Sequence, residues 1–183
     1  MNLQDEFLEG RFEETEEGVL FPREGVVARG FFVVSKRGEP DEYYPNLVVN
    51  EGLNYMLGAA FGATSVLSSW YIALFTGNVT VQASWTAANF AANATEWTNY
   101  DSATRVAWSR GSVASGAVNN FASKGEFGST GDGQTIRGAA LLSDSAKSAV
   151  TGKLMAAARF GTDKGLDTGE ILDVGYGFQL TAV

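Results

Sequence analysis

Histidine and cysteine are absent from the 183-residue chain, and proline occurs only 3 times. The first two absences exclude disulfides, thiol and imidazole catalysis, and most transition-metal sites. No run of 18 apolar residues is present, so we predict no membrane span. The 22 glycines, set beside so few prolines, favour many tight turns between strands. These observations favour an all-β domain without a metal or a cofactor.

Negative charge is concentrated at the N-terminus. Residues 1–24 hold eight acidic residues against Arg11 and Arg23, a net charge of −6, whereas the rest of the chain sums to −2 of the total of −8. Such a segment repels phosphates, so we predict no binding to nucleic acid. It also lacks the features of a secretion signal, so we expect a cytoplasm-like setting. We predict an acidic N-terminal arm over residues 1–24 and one domain over residues 25–183.

Apolar residues are interleaved with the acids of this arm at the spacing of a weak helical stripe. Gly10 lies within the stripe, so we expect helix there only when the arm binds a partner. The apolar residues would anchor the arm in a basic, apolar groove, and the acids would steer its approach. The residues to which we assign this partner binding are Phe7, Leu8, Phe12, Glu13 and Glu14.

One segment has a helical pattern. Asn50 is a suitable N-cap and Gly62 a suitable stop, and between them apolar residues recur at i, i+3, i+4, i+7 and i+8. We predict a single helix over residues 50–61 that docks on the core through this stripe, which comprises Leu53, Met56, Leu57, Ala60 and Phe61.

From residue 69 onward the apolar period changes to two. Residues 70–75 are almost continuously apolar, as in a central strand covered on both faces. The C-terminal run alternates, with Leu172, Val174 and Tyr176 on one face. About eight such strands with hairpin or long-loop spacing predict an all-β fold, a β-sandwich of jelly-roll type with one short helix.

Two carboxylate groupings could in principle carry chemistry. Asp163 and Asp167 could bind a hard cation, but the loop spacing of a calcium site is missing, and a solvated loop is the simpler interpretation. Glu96 and Asp101 flank two aromatic residues, an arrangement reminiscent of a glycosidase site. Two acids five residues apart are nevertheless common by chance. We therefore predict no catalytic residues and no enzyme.

The aromatic residues have two interpretations. Those within strand patterns, Trp70, Phe75, Tyr176 and Phe178, we assign to the core. The sequence of residues 84–104 predicts a long connection between strands. The aromatic rings of this connection could equally lie in the core or form a surface that binds a protein or a glycan. The candidates for that surface are Trp85, Trp97 and Tyr100.

The order of several sequence blocks resembles that in virion proteins of tailed bacteriophages. The resemblance is to small structural proteins encoded near the major capsid protein, and it covers about residues 45–183. No block is a catalytic signature. The blocks are residues 46–57 (NLVVNEGLNYML), 70–75 (WYIALF), 94–100 (ATEWTNY), 104–108 (TRVAW), 138–142 (GAALL) and 171–176 (ILDVGY).

This resemblance implies a head decoration or cement protein with a jelly-roll body, which binds the outside of the capsid and stabilises the head. Its partner would be the major capsid protein. We also predict self-association as a homodimer or homotrimer, because an all-β chain with so many apolar strand residues must cover its sheet edges and patches. It would be assembled in the host cytoplasm and reside on the virion. Similar sequences are also labelled tail proteins, so the alternative is a tail or tail-fibre module that binds a protein or a host glycan.

Overall fold

The computed structural model describes residues 12–14, 18, 20–22 and 25–182, with the backbone alone for residues 12–14 and 20–22. These residues form thirteen strands and two helices, and neither helix is long and apolar enough to cross a membrane. The helices are α1 (Asn50–Ala60) and α2 (Ala87–Ala94). The strands are β1 (Phe12–Glu14), β2 (Leu20–Pro22), β3 (Val26–Lys36), β4 (Glu42–Pro45), β5 (Leu47–Val48), β6 (Tyr71–Phe75), β7 (Glu96–Trp97), β8 (Val106–Ala107), β9 (Ala117–Asn119), β10 (Gly125–Gly128), β11 (Gln134–Leu142), β12 (Leu154–Leu166) and β13 (Ile171–Ala182).

The described chain divides into two compact units. The larger comprises Arg29–Gln179, and the smaller contains the described residues up to Ala28 and from Leu180 onward. Within the larger unit the strands form two antiparallel sheets. The first has the order β10-β13-β3-β4, with β9 also paired to β13, and the second has the order β5-β12-β11-β6-β7, with β8 also paired to β6. The predicted all-β sandwich is confirmed.

Apolar side chains from both sheets pack between them. Strand β13 contributes Leu172, Val174 and Tyr176, in agreement with the predicted alternation. Phe32 of β3 packs on the Tyr176 ring, with centroids 4.7 Å apart. The second sheet contributes, among others, Ile72, Leu74, Ile136, Leu141 and Phe160.

The second sheet is buried on its other face as well. Ala73 and Phe75 of β6 belong to a separate apolar cluster, so this strand is covered on both faces as predicted. Phe90 of α2 meets the Phe75 ring edge-on, with centroids 6.2 Å apart. The larger unit therefore has three layers: a sheet, a second sheet, and α2. The second cluster also contains Val49, Trp85, Ala87, Ala94, Ala140, Leu142, Leu154 and Ala157.

Helix α2 was not predicted from the sequence, which indicated an irregular connection there. Its first turn is stabilised by a residue distant in sequence, because Glu51 Oε2 accepts the N–H groups of Ala87 and Leu154, each at 2.8 Å. The N–H of Thr86 donates to Asn89 Oδ1 at 2.9 Å. Asn89 occupies the third helical position, where a capping box usually has Glu or Gln. The segment therefore lacks the usual sequence signature of a helix start.

Helix α1 has its predicted position in the chain. Gly62 ends it in the left-handed conformation, at a φ of +74°, and the N–H of Ala63 donates to the Gly58 carbonyl, which is a Schellman motif. Its start differs from the prediction, because Val49 is the N-cap and Asn50 is the first helical residue. The helix therefore begins without a side-chain cap.

The face of α1 that docks is not the predicted stripe. Gly52 and Tyr55 are buried instead. A Cβ on Gly52 would lie 2.3 Å from the Met155 carbonyl oxygen, so glycine permits the close approach to β12 that selects this face. Tyr55 packs edge-on against Trp70, with centroids 5.4 Å apart. Of the predicted stripe, Met56 is partly buried against the core, whereas Leu53, Leu57, Ala60 and Phe61 are exposed.

The described part of the N-terminal arm is a β-hairpin in the chain alone, so helix in the arm, which we expect only when it binds a partner, stays a prediction. Phe12, Glu13 and Glu14 pair antiparallel with residues of β2. The hairpin satisfies backbone groups within the segment itself, and phenylalanine favours strands over helices. The remaining predicted anchors, Phe7 and Leu8, lie outside the described residues.

Gly138 allows the two-sided burial of the second sheet, because a Cβ there would lie 2.0 Å from Phe75 Cζ and 2.3 Å from the Ala158 carbonyl oxygen. We predict that Gly138→Ala lowers the free energy of unfolding by about 1–3 kcal/mol through overpacking. Gly165→Ala is the matched control, because a Cβ on this strand glycine would meet nothing within 4 Å. The control should leave stability unchanged or raise it by up to about 1 kcal/mol. Urea unfolding of both variants measures the difference, and equal stabilities would contradict the packing argument.

Candidate functional site

The three aromatic residues proposed for a binding surface are buried. Trp85 packs in the cluster beneath α2, edge-on to Phe90. Trp97 and Tyr100 lie between the sheets with ring centroids 5.2 Å apart, and Trp97 Nε1 donates to Gln134 Oε1 at 2.9 Å. These rings present no open face on which a glycan could stack. Of the two interpretations left open by the sequence, burial supports the core.

Glu96 is a structural carboxylate. It forms a bidentate ion pair with Arg105, with Nε to Oε1 at 2.8 Å and Nη2 to Oε2 at 2.7 Å, and both side chains are almost completely buried. Its supposed catalytic partner Asp101 is exposed. Both Glu96 oxygens are thus occupied, which argues against the glycosidase arrangement.

The ion pair also fastens the loop between β11 and β12. Arg105 Nη1 donates to the Asp144 carbonyl at 3.0 Å, and the Ser148 N–H donates to Glu96 Oε2 at 3.1 Å. The backbone N–H of Arg105 donates to the Ser145 carbonyl at 2.8 Å. Buried charge is thereby satisfied by hydrogen bonds as well as by the opposite charge.

The candidate cation ligands Asp163 and Asp167 have other partners. Asp163 accepts hydrogen bonds from Arg159 at 2.6 Å and Arg137 at 3.0 Å, and these contacts lower the pKa of its carboxyl. Asp167 Oδ1 accepts the N–H of Gly133 at 2.8 Å. Within the part of the chain that the structure describes, no group of three Asp or Glu residues is placed to hold a metal ion.

An aromatic cluster lies on the outer face of the first sheet, and we call it the outer aromatic patch. It comprises Phe31, Tyr43 and Phe121, with ring centroids 6.0 Å apart for Phe31 and Tyr43 and 5.2 Å apart for Phe31 and Phe121. Tyr43 is 63% exposed. Phe121 lies over Gly175 and Gly177 of β13, where a Cβ would approach the ring to 3.0 and 2.5 Å. Because glycine has no side chain, the Phe121 ring can pack directly on the backbone of β13 at these two positions.

Ion pairs border this patch. Lys124, whose side chain lies beside Phe121 over Gly175, pairs with Asp41. Further along the same face of β13, Asp173 pairs with Arg37 at 2.7 Å. An aromatic centre with a charged rim is the arrangement found in protein interfaces. The outer aromatic patch could not be predicted from the sequence, because its three residues come from separate segments of the chain.

A second group of exposed apolar side chains, which we call the α1 ridge, lies on α1 and in the loop after it. Leu57 is 59% exposed, Phe61 83% and Val66 77%. The loop folds back on the helix, because the Leu67 N–H donates to the Tyr55 hydroxyl at 2.7 Å. The ridge comprises Leu53, Leu57, Phe61, Val66 and Leu67.

The ridge lies in a segment without charge. Residues 52–95 contain no Asp, Glu, Lys or Arg. Residues 60–69 are all exposed, so part of this uncharged segment faces solvent. Interface centres are depleted in charged residues, whereas ordinary protein surfaces are rich in them. This combination marks the ridge as a second candidate contact surface.

No protein-family model matches the chain, and a search of curated proteins found no match.

The buried ion pair generates a test of the assignment of Glu96 as structural. Glu96→Gln keeps the side-chain size but leaves the Arg105 charge buried without its counter-ion, so we predict a loss of about 3–5 kcal/mol in unfolding free energy. The matched control is Asp163→Asn, which removes a partly exposed carboxylate charge that pairs with Arg137 and Arg159 and should cost about 1 kcal/mol or less. Chemical denaturation reports both values. Similar small losses in the two variants would show that the Glu96 charge is dispensable.

Proposed function

We propose that this chain is a structural protein of a tailed-phage virion that binds the outside of the capsid as a decoration or cement protein. The role is non-enzymatic: the protein stabilises the head by adding contacts between capsid subunits. The main observation in support of the proposal is the outer aromatic patch, a group of exposed aromatic side chains on the β-sandwich. Its partner would be the major capsid protein, and the protein would reside on the virion exterior after assembly in the host cytoplasm.

The make-up of the patch supports binding to a protein. Aromatic residues contribute a large share of binding energy in interfaces, and a surrounding polar rim excludes water from them. The rings are already held in place by packing on one another and on Gly175 and Gly177. Little conformational entropy would be lost when a partner covers them. A preorganised patch of this kind suits permanent attachment to a shell.

The blocks that resemble phage virion proteins also support the proposal. The six blocks overlap helix α1 and six strands, and each block contributes side chains to the two apolar clusters; the strands are β5, β6, β7, β8, β11 and β13. The resemblance therefore rests on the residues that specify the sandwich. A stable, closely packed body is what a protein needs if it reinforces a capsid through contact area.

A tail or tail-fibre module remains the second candidate. The outer aromatic patch would then be the surface on which a host glycan stacks, since Trp85, Trp97 and Tyr100 are buried. Copy number distinguishes the two roles. Cryo-electron microscopy of purified virions should find the protein in many copies over the head, whereas a few copies at the tail would refute the decoration role.

Mutation of the patch tests its part in attachment. We predict that Tyr43→Ala weakens binding of the purified protein to heads that lack it by about 10-fold or more, because it removes an exposed aromatic contact. Val150→Ala is the control, since it removes a side chain of similar exposure, 60%, outside the patch. Co-sedimentation with heads measures the binding. If Tyr43→Ala binds to heads as tightly as the control, a surface other than the outer aromatic patch mediates attachment.

The acidic arm generates a separate prediction. Deletion of residues 1–17 should leave the melting temperature nearly unchanged and weaken attachment to heads, because Phe7, Leu8 and Phe12 would no longer anchor the protein. Higher salt should slow binding of the intact chain, because it screens steering by acids such as Glu13 and Glu14. Calorimetry and the same co-sedimentation assay test this. Unchanged binding of the truncated chain would assign attachment to the sandwich.

A further inference from the structure

We propose that the α1 ridge is the contact through which two copies of this chain associate around a two-fold axis. The inference goes beyond the proposed function and does not depend on it, because it concerns the purified protein alone. The outer aromatic patch lies on the first sheet, whereas the α1 ridge lies on α1 and the loop after it, and the two share no residue. A decoration protein would then have separate surfaces for the shell and for its own copy.

The spacing of the ridge suits a symmetric helix contact. Leu53, Leu57 and Phe61 follow one another at i, i+4 and i+8, and so form one continuous row on α1. Rows of this kind interdigitate when two helices cross at about −50°. With Leu57 on the two-fold axis, Leu53 of one copy faces Phe61 of the other, and the reverse contact repeats the pairing. Each copy thus offers the surface that the other needs.

Charge favours a second copy over a different partner. The chain carries a net charge of −8, so two copies repel one another wherever acidic surfaces meet. The ridge lies within the uncharged residues 52–95, where two copies can approach without like charges facing one another. A basic partner would gain nothing electrostatically from this surface. Interfaces between identical subunits are also more apolar than those of transient complexes, which matches the ridge.

The area of the ridge fits a stable contact. Its side chains expose apolar area on the order of a few hundred Å², which is the size of the largest apolar patches on ordinary monomers. A rim of exposed, uncharged residues extends it towards the roughly 800 Å² per partner that stable interfaces bury. This rim includes Asn54, Ala60, Thr64, Ser65 and Ser68.

Sedimentation velocity of the full chain tests the proposal. We expect a dimer at micromolar concentration that becomes tighter as NaCl rises from about 0.02 M to about 0.5 M, because salt screens the repulsion between two acidic copies. Leu57→Glu should weaken the dimer by at least about 100-fold, since it places two like charges in the centre of an apolar contact. Val150→Glu introduces the same charge on another exposed residue and should leave the dimer intact.

A mixing experiment tests the two-fold geometry itself. Leu57→Lys should also be monomeric alone, but an equimolar mixture of Leu57→Glu and Leu57→Lys should dimerise, because opposite charges then meet across the axis. Circular dichroism melting of each variant confirms that exposed position 57 is not needed for folding. A wild-type monomer at all salt concentrations, a dimer that survives Leu57→Glu, or a mixture that stays monomeric would each overturn the proposal.

Discussion

The structure depends on one constraint: the second sheet is buried on both faces. A sheet in this position must carry apolar side chains on both faces, and these must be small where neighbouring layers approach closely. Strands β11 and β12 meet the requirement with alanines and with Gly138, over which the Phe75 ring lies. The first sheet can then pack on one face and α2 on the other. The two apolar clusters are consequences of this single arrangement.

Two carboxylates, the partly buried Glu51 and the buried Glu96, hold the layers in register. Glu51 receives N–H groups from the start of α2 and from β12, and so joins α1, α2 and the second sheet. Glu96 and Arg105 fasten the loop before β12 from within. Buried charges are costly unless all their hydrogen bonds are made, so these contacts specify one arrangement of loops and layers.

The apolar side chains outside the clusters form two surfaces of different character. The outer aromatic patch has rigid rings and a charged rim, which suits recognition of a dissimilar protein. The α1 ridge is mostly aliphatic and lies in an uncharged segment, which suits contact with an identical surface. The difference arises because Arg37, which directly follows β3, pairs with Glu126 of β10 and Asp173 of β13, whereas residues 52–95 carry no charge at all.

The sequence by itself determined the all-β class, the position of α1 in the chain, the two-sided burial of β6 and the alternation of β13. Each of these follows from local periodicity or from a terminal glycine such as Gly62. Tertiary structure alone decided which face of α1 docks, because α1 is apolar on several sides and the choice depends on the approach of Gly52 to Met155. It also decided the existence of α2, whose first turn is stabilised by Glu51 from 36 residues away, and the burial of Trp85, Trp97 and Tyr100. Contacts between residues distant in sequence leave no periodic signal, and for that reason both candidate surfaces became visible only in the folded chain.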